Sequence, residues 1–505
     1  MVDNVRELAL KILYKMDKDN SYSNLLLKDT INKIRKEENK KETNKKEVNK
    51  NNENKNNENN NNRVNTKNNL DNRDIALISE IVYGVTTWKL TLDEIIKKYS
   101  KLKLNKLSLW ILNILRLSIY QIVFLDKIPK SAAVNEGVNL AKKYGNRGSI
   151  GFTNAVLRKI TKKDYEDFYL IKDENKKLSF CYSMPLWIIE ELKDEGFSYN
   201  KVEDFCKASI LRPKVSIRVN RLKTSKEELK DILEKEGIKS EDGILEDFLI
   251  LNKVSNLENL EAFKNGLFTV EDEVAGLSAL VLEPKEQETL LDACSSPGGK
   301  TTYLAEIMKN KGGIFAFDVY EHRTKLVDEN CKRLGINIIK TKVNDASCYN
   351  EDYKNKFDKI LLDVPCLGIG VLKRKPDIKW QKKKEDIEEI GKLQFEILDI
   401  CSKYLKPGGE IVYSTCSVFR KENRDIIEKF LEKNSNFKLD NLYNILNEKI
   451  YNKDKFFIQY LDKENNGYLE VLQNEKTDGF FICNLKYIKE NWYYYSYITF
   501  VLRLH

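Results

Sequence analysis

The 505-residue sequence contains only two histidines, His322 and His505. Ser-His-Asp catalysis and imidazole-rich metal sites both require histidine side chains, so their scarcity argues against both, and no metal is expected. Acid–base chemistry must therefore use carboxylates, lysines, tyrosines or cysteines. The nine cysteines include no C-x-x-C pair and no secretory leader precedes them, so we expect reduced thiols and a cytoplasmic location.

Long uninterrupted apolar runs are also missing. The nearest candidate is LSLWILNILRLSIYQIVFL at 107–125, and Asn113, Arg116 and Gln121 interrupt it near its centre. Because a charge in the middle of a bilayer is costly, the segment is predicted to be a buried helix of a helical bundle, and no membrane partner is expected.

The stretch 36–69 is almost devoid of apolar residues and consists largely of Lys, Asn and Glu. Such a segment buries too little surface to offset its chain entropy, so it is predicted to be a disordered insertion. The net charge of +9 is compatible with an anionic partner but does not require one.

The stretch DACSSPGGKTTYLAEI at 292–307 contains GGKTT, which looks like a nucleoside-triphosphate loop. That loop would need glycine at position 294, where Cys294 stands. The Gly-x-Gly-x-x-Gly pattern of a dinucleotide site is missing as well. The glycine turn is therefore expected to hold a different ligand.

From residue 266 onward, short apolar runs alternate with helical stretches, which predicts a doubly wound parallel sheet. Helices are expected at about 299–309, 320–334 and 385–404, and a late antiparallel edge strand at 479–485. The predicted parallel strands are 289–293, 314–317, 336–343, 358–362 and 410–414.

Ligands of such sheets bind beyond the carboxyl ends of the strands, where the chain places acids and cysteines. Asp318 follows the glycine turn by about twenty residues, a spacing typical of an acid that binds ribose hydroxyls. Asp345 and Asp363 follow later strands. A glycine turn without a phosphate clamp, with acids on successive strands, favours S-adenosylmethionine as the ligand.

Cys366 and Cys416 follow the fourth and fifth of these strands. A thiolate that adds to carbon 6 of a pyrimidine makes carbon 5 nucleophilic, which gives two cysteines at this position a chemical purpose. Cys331 and Cys401, by contrast, are expected to be small buried hydrophobic residues.

Between the helical and the α/β regions, KVSIRVNRLK alternates like a half-buried strand, and a helix is predicted at about 225–237. Arg218, Asn220 and Arg221 at the end of this strand are candidates for phosphate contacts, with solvated strand ends as the alternative.

The N-terminal region resembles the NusB family of helical RNA-binding domains, through AAVNE, NAVLR and the segments around them. The resemblance covers about 1–163 without the insertion. It implies an RNA-facing surface, although ordinary solvated helix charges are the alternative. The candidate residues are Lys142, Lys143, Arg147, Arg158 and Lys159.

DACSSPGGKTT, AFDVYEHR, VNDAS, LLDVPCLGIG, RKPDIKW and YSTCSVFRKEN resemble the signature motifs of the Sun/Nol/Nop family of RNA 5-methylcytosine methyltransferases. The resemblance implies Cys416 as nucleophile, Cys366 as the cysteine of product release and Asp363 as the acid at the ring nitrogen. Asp363 is also expected to border the cofactor, with Asp318 on its ribose and Asp345 on its adenine side. The remaining cofactor loop is Cys294, Ser295, Ser296, Pro297, Gly298, Gly299 and Lys300.

Some residues depart from the family pattern. Val364, Leu367 and Ile369 replace small or hydroxyl residues after Asp363, and Glu271 stands where glutamine is usual. Substrate positioning is the property that these departures affect. Lys373, Arg374, Lys375 and Lys379 are candidates to flank the RNA backbone, with a solvated charge run as the alternative.

The sequence thus predicts a multidomain protein. Its parts are an all-α NusB-like domain (1–163), a small α+β domain that binds RNA or links its neighbours (164–265) and a Rossmann-like α/β methyltransferase domain (266–505). The resemblance implies 16S ribosomal RNA as the substrate, and a monomer is expected. Two alternatives stay open: a transfer-RNA cytosine-C5 methyltransferase, and a non-catalytic NusB-like RNA-binding or assembly factor.

Overall fold

A computed structural model describes most of the chain: residues 5–19, 21, 23, 26–27, 29–31, 70–252, 254, 257–449, 456–462 and 467–488. The predicted insertion at 36–69 lies outside these residues. Two compact units contain the fold. One is Met1–Lys193 with Lys375–Gln381, and the other is Asp194–Arg374 with Lys382–His505.

The first unit is helical. Its helix α4 carries the interrupted apolar run, and every residue from Ile111 to Val123 is buried, as predicted. Arg116 of this helix is buried too, and its guanidinium pairs with Asp17 and Asp93 at 2.8 and 2.7 Å. The helices are α1 (Val5–Asp19), α2 (Asn72–Thr87), α3 (Lys89–Tyr99), α4 (Leu109–Phe124), α5 (Lys130–Tyr144), α6 (Arg147–Lys159), α7 (Lys163–Glu166), α8 (Glu174–Cys181) and α9 (Leu186–Asp194).

Within the described residues, no single helix is both long and apolar enough to cross a bilayer. The pair α2 and α3, bent by 75°, passes that test only when its two members are joined.

The segment Lys375–Gln381 lies almost two hundred residues after the rest of the helical unit in sequence but belongs to that unit. Lys379 is 1% exposed, and its ammonium donates to the carbonyls of Thr87 and Ser183 at 2.9 and 3.0 Å. The indole N–H of Trp380 donates to the Thr86 carbonyl at 2.7 Å. The segment includes the short helix α16 (Ile378–Gln381).

The second unit begins with an antiparallel four-stranded sheet in the order β2-β3-β1-β4. Ile217, Val219, Leu249 and Phe268 point into one core with Leu229 of a covering helix. The elements are α10 (Tyr199–Ser209), β1 (Val215–Val219), α11 (Lys226–Lys235), β2 (Ser240–Asp242), β3 (Phe248–Leu251), α12 (Glu261–Lys264) and β4 (Phe268–Val270).

The large sheet has the order β10-β12-β9-β8-β5-β6-β7, with β11 paired to β12. Its elements are α13 (Glu273–Leu282), β5 (Thr289–Asp292), α14 (Gly299–Ile307), β6 (Gly313–Asp318), α15 (Glu321–Leu334), β7 (Ile339–Val343), β8 (Phe357–Asp363), α17 (Asp386–Ser402), β9 (Leu405–Thr415), α18 (Arg424–Lys433), β10 (Phe437–Leu439), α19 (Leu442–Asn444), β11 (Tyr468–Val471) and β12 (Phe480–Tyr487).

Strands β5 to β9 run parallel, as predicted. Side chains alternate across the sheet: Leu361 enters the core on one face, whereas Ile360 and Leu362 enter the core on the other. Helices cover both faces, which explains why these strands are apolar on each side.

Strand β12 is antiparallel to β9, as predicted, but the expectation that it forms the edge of the sheet is wrong. Both β10 and β11 pair with it. The reason lies in the segment 437–471, whose short strands carry too little alternation to be recognised in the sequence.

Candidate functional site

The predicted acids and cysteines lie together at the carboxyl ends of the parallel strands in the large sheet. Asp292, Asp318 and Asp363 are the last residues of β5, β6 and β8, and Cys416 directly follows β9. The neighbours β5, β6 and β8 include the point where the strand order reverses, which is where α/β sheets form a ligand crevice.

The glycine turn leads from β5 into α14. Gly298 has φ +99°, a left-handed conformation that favours glycine, and a Cβ atom there would lie 3.2 Å from Val327 Cγ1. The preceding Ser296–Pro297 peptide bond is cis. The turn exposes the start of a nine-residue helix, whose free N–H groups suit an anionic ligand group.

Side chains from neighbouring elements anchor this turn. The Ser295 hydroxyl donates to the Phe317 carbonyl at 3.0 Å, so Ser295 is tied to β6. Arg323 and Asn330 of α15 donate to the carbonyls of Ser296 and Pro297 at 3.4 and 2.9 Å. The loop is therefore anchored to β6 and α15, and the carbonyl groups of Ser296 and Pro297 already accept hydrogen bonds.

Asp292 and Cys294 directly precede the turn, and burial changes the pKa of both side chains. Asp292 is 1% exposed and accepts the Thr301 hydroxyl at 2.6 Å, and burial raises its pKa to about 7. Burial likewise raises the pKa of the Cys294 thiol well above its usual range, which keeps that thiol protonated.

Two acids line the side of β6 and β7. Asp318 accepts from the Tyr320 N–H at 3.2 Å and lies 3.4 Å from Arg323 Nε. Asp345 is exposed and accepts both the N–H and the hydroxyl of Ser347, at 2.9 and 2.6 Å. These bonds from the Ser347 hydroxyl and backbone lower the Asp345 pKa. Both acids can accept hydroxyl or amino groups of a ligand.

A hydrogen-bonded triplet lies at β8 and β9. Lys300 Nζ donates to one oxygen of Asp363 at 2.7 Å, and the Ser414 hydroxyl donates to the other at 3.0 Å. Burial disfavours the Lys300 ammonium, but the Asp363 carboxylate outweighs that effect and raises the pKa of Lys300. Asp363 is thus oriented through both of its oxygens.

Cys366 and Cys416 come together in space. Their sulfur atoms lie 2.8 Å apart, and both residues are half-buried. The hydrogen bond to Cys416, together with burial, raises the pKa of the Cys366 thiol well above its usual value. The Gly370 N–H donates to the Cys416 carbonyl at 2.9 Å, which joins the two cysteine loops.

The residues that depart from the family pattern are all buried. Val364, Leu367 and Ile369 are 3%, 2% and 0% exposed. Glu271 is buried as well and pairs with Arg218. The protein interior therefore accommodates these four side chains.

Several residues proposed to contact RNA are instead buried and hydrogen-bonded within the protein. Arg218 is fully buried, and it donates to Glu306 at 2.9 Å and to the Gly299 carbonyl at 2.9 Å. Asn220 is also buried, and its side-chain amide donates to the Gly266 and Leu334 carbonyls at 2.8 and 2.9 Å. Neither a phosphate contact nor a solvated strand end describes these two residues, whereas Arg221 is exposed.

The run at 373–379 needs the same correction. Lys373 donates to the Asn474 and Thr477 carbonyls, and Arg374 pairs with Asp272 and Asp478. With Lys379 buried in the helical unit, only Lys375 of the four is exposed. The five basic residues of the NusB-like domain are all exposed, and their contact with RNA stays a prediction.

Ser414, Thr301 and Arg323 were not identified from the sequence as parts of the site. Ser414 could have been found, because parallel pairing puts it opposite Asp363 and it precedes Cys416 by two residues. Arg323 and Thr301 depend on side-chain directions that the motifs do not reveal. In the portion of the chain that the structure describes, no group of three or more His, Cys, Asp or Glu could hold a metal ion.

Models of known protein families match three segments of the chain. A family model described as 16S rRNA methyltransferase RsmB/F matches residues 279–486. The NusB family model matches 42–162, and a ferredoxin-like domain of RsmF/B-like methyltransferases matches 184–258. The predicted fold classes and both resemblances are confirmed.

Similar proteins cover from 61% to 96% of the chain. The probable ribosomal RNA small subunit methyltransferase B of Bacillus subtilis (strain 168) is 35% identical, over 96% of this chain and 98% of its own. The crystal structure of PH0851 is 30% identical with a TM-score of 0.69, over 82% of this chain and 90% of that one. NSun6 from Pyrococcus horikoshii, solved with SFG, is 25% identical with a TM-score of 0.53, over 61% of this chain and 99% of that one.

An identity of this size over almost the full length, joined to a site built at the expected strand ends, establishes the assignment. The chain belongs to the ribosomal RNA small subunit methyltransferase B family.

Proposed function

We propose that this methyltransferase transfers a methyl group from S-adenosylmethionine to carbon 5 of a cytosine in 16S ribosomal RNA, through a covalent bond between Cys416 and carbon 6. The observation that carries the proposal is the contact between the Cys366 and Cys416 sulfur atoms, 2.8 Å apart, beside an acid with two fixed hydrogen bonds. A methyltransferase acting on oxygen or an amino group would have no use for this pair of thiols.

The residues at β5, β6 and β7 fit S-adenosylmethionine. The start of α14 suits its carboxylate, the Asp318 carboxylate suits ribose hydroxyls, and exposed Asp345 suits the adenine edge. Val319 and Tyr320 are 45% and 56% exposed beside Asp318 and offer apolar surface to an adenine ring. When bound, the cofactor supplies a methyl group on a sulfonium, which is an electrophile.

The first step belongs to Cys416. Its thiolate forms a bond to carbon 6 of the cytosine, and the electron pair of the ring's 5–6 double bond becomes available at carbon 5. Carbon 5 then takes the methyl group from the sulfonium, whose sulfur would keep the electron pair of the broken bond. A target base must leave its stack to reach a site at a strand end, as for other enzymes that act on a base.

Asp363 stabilises the charge that moves onto the ring. Both oxygens of Asp363 accept hydrogen bonds, one from Lys300 and the other from Ser414. In the proposed step the Lys300 ammonium passes its proton to Asp363, which then donates that proton in a hydrogen bond to ring nitrogen 3. Such a preorganised pair costs no reorganisation at the moment of reaction.

Release reverses the first bond. Transfer of the carbon-5 proton to solvent water lets the C–H electron pair re-form the 5–6 double bond and expels the Cys416 sulfur from carbon 6 as a thiolate. The Cys366 thiol, kept protonated by its raised pKa, donates a hydrogen bond to the departing sulfur. Cys366 is therefore a participant in release and not in attack.

The test is transfer of labelled methyl to unmodified small-subunit ribosomal RNA by wild type, Cys416→Ser and Cys331→Ala, followed by analysis of the modified nucleoside. Cys331 lies on α15, outside the site, and is the matched control. Label in 5-methylcytosine that disappears only in Cys416→Ser supports the proposal.

Other outcomes replace parts of it. Label on transfer RNA instead moves the substrate to the transfer-RNA alternative. Equal label from Cys416→Ser rejects the nucleophile. Cofactor binding without label on any RNA favours a binding or assembly factor.

The role of Cys366 has its own test. Cys366→Ala is expected to accumulate a protein–RNA adduct that survives a denaturing gel, because attack proceeds and release is slowed. Cys331→Ala and the double variant Cys366→Ala/Cys416→Ser should show none. A Cys366→Ala protein without adduct, but with labelled product at the wild-type rate, rejects the assignment.

A further inference from the structure

A fully buried carboxyl group, Glu422, lies behind the two cysteines and has no part in the steps above. It ends the short 3₁₀ helix Arg420–Glu422, a few residues after Cys416. No ion pair to Glu422 is found among the described residues, and burial raises its pKa. Lys382 favours the carboxylate through its charge without forming an ion pair, so most of the cost of burying this acid must be offset by its hydrogen bonds.

Those hydrogen bonds reach both cysteine loops. One oxygen of Glu422 accepts the Leu367 N–H at 2.8 Å, and the other accepts the Ser417 hydroxyl. Leu367 directly follows Cys366, and Ser417 directly follows Cys416. A single carboxyl group therefore joins the residues next to the two sulfur atoms.

The surroundings of Glu422 hold it rigidly. Gln394 of α17 donates one amide N–H to Glu422 at 3.3 Å and also to the Pro365 carbonyl at 2.8 Å. The buried Tyr413 hydroxyl donates to the Glu422 carbonyl at 2.7 Å. These hydrogen bonds fix the position of Glu422 relative to α17 and β9.

The next residue, Asn423, acts on the same loop. Its amide oxygen accepts the Thr415 hydroxyl at 2.6 Å, and its amide N–H donates to the Ser417 carbonyl at 3.2 Å. Thr415 and Ser417 are the neighbours of Cys416 on either side. The backbone that carries the nucleophile is consequently fixed before and after it.

We propose that Glu422 is a positioning residue that sets the distance between Cys366 and Cys416, by bridging Leu367 and Ser417, and so governs release of the methylated RNA. The part about release rests on the proposed function. The part about the distance between the sulfur atoms does not.

The chemistry of the bridge distinguishes variants. Glutamine keeps an oxygen for the Leu367 N–H, and its amide can donate to the Ser417 oxygen, since a hydroxyl both donates and accepts. Alanine removes the bridge and leaves Leu367 N–H buried without an acceptor. Glu422→Gln should therefore rescue what Glu422→Ala loses, which an effect of negative charge would not allow.

The first readout needs no RNA. The full-length protein is equilibrated in buffers of reduced and oxidised glutathione, and the fraction with a Cys366–Cys416 disulfide is measured by mass spectrometry. Glu422→Ala is expected to shift the equilibrium against the disulfide roughly tenfold, since effective concentration depends steeply on placement. Glu422→Gln and the control Glu428→Ala, whose exposed side chain pairs with Arg420, should match wild type.

Ser417→Ala is the second variant, for the case that Glu422→Ala fails to fold. It removes one half of the bridge and keeps the Leu367 and Gln394 bonds, so an intermediate shift is expected. A wild-type disulfide equilibrium in Ser417→Ala and in folded Glu422→Ala overturns the proposal.

The second readout is the covalent adduct with RNA. Glu422→Ala is expected to lower kcat, leave KM for RNA unchanged and raise the adduct fraction towards that of Cys366→Ala. A shifted disulfide equilibrium with no adduct in any variant, Cys366→Ala included, would contradict the proposed chemistry while leaving the positioning role intact. An unshifted equilibrium with adduct in Cys366→Ala would contradict the positioning role alone.

Discussion

Asp318 and Asp363 each end a parallel strand of the same sheet, yet their surroundings differ. Asp318 accepts one backbone N–H and faces a guanidinium at 3.4 Å, which leaves lone pairs for a ligand. Asp363 has one oxygen on Lys300 and the other on Ser414. The comparison teaches that Asp318 keeps acceptor capacity for a ligand, whereas Asp363 is already oriented through both oxygens, which matches the two roles that the proposed function assigns to them.

Among variants that test this comparison, the largest effect is expected from Lys300→Met, which removes the cation that is hydrogen-bonded to Asp363. Loss of the ammonium should lower kcat by roughly 10²–10³-fold, the usual cost of removing one electrostatic stabiliser. Single-turnover methyl transfer at saturating cofactor measures it, with Lys309→Met as the control because Lys309 is 72% exposed. Unchanged kcat in Lys300→Met would mean that Asp363 acts alone, and the contrast with Asp318 would fail.

Asp318→Ala tests the ligand side. It is expected to raise the Kd for S-adenosylmethionine by roughly 10–100-fold, because hydrogen bonds to a charged acceptor contribute about 1.5–3 kcal/mol. Isothermal titration measures this, with kcat at saturation little changed. Glu321→Gln, an exposed acid at the start of α15, is the control. A normal Kd with reduced kcat would give Asp318 the role assigned to Asp363.

Asp292→Asn should alter the pH dependence of stability. Asp292, with its pKa raised to about 7 by burial, holds a proton in the folded protein that it loses near pH 4 when unfolded. The unfolded chain then binds fewer protons, so the contribution of Asp292 to the free energy of unfolding falls as pH rises from about 4 to 7.

Asparagine should make that fall shallower, on a scale of about 1.4 kcal/mol for each pKa unit removed. Denaturant unfolding of the methyltransferase domain at several pH values measures this slope, and Asp352→Asn, at an exposed position, is the reference. An unchanged slope would mean that Asp292 is ionised beneath the glycine turn at neutral pH.

The smallest effect is expected from Asp345→Ala. Asp345 is exposed, so water competes for its hydrogen bonds, and the Kd for the cofactor should rise only about 3–10-fold. Titrations of S-adenosylmethionine into Asp345→Ala and Asp318→Ala compare the two Kd values directly. An effect larger than that of Asp318→Ala would shift the weight of cofactor recognition to β7.

Much of this edge of the sheet was predictable. The apolar runs, the glycine turn and the acids at strand ends are local patterns, and all of the predicted parallel strands and their helices are present. Parallel pairing then brings their carboxyl ends together without further information.

What failed depends on distant partners. Arg374 is half-buried because Asp272 and Asp478 meet it, and each lies about a hundred residues away in sequence. Arg218 reads locally as the exposed end of a strand, but Glu271 and Glu306 enclose it. A charge run has the same pattern whether its counterions are solvent ions or buried carboxylates.

The membership of Lys375–Gln381 in the helical unit affects how the protein can be divided. A chain shortened to begin at Asp194 would keep this segment and lose Thr86, Thr87 and Ser183, whose carbonyl groups it binds. The Lys379 ammonium and the Trp380 indole would then have to find new surroundings. The catalytic half is therefore not a detachable module, and evolution or engineering that exchanges its N-terminal half must exchange these seven residues with it.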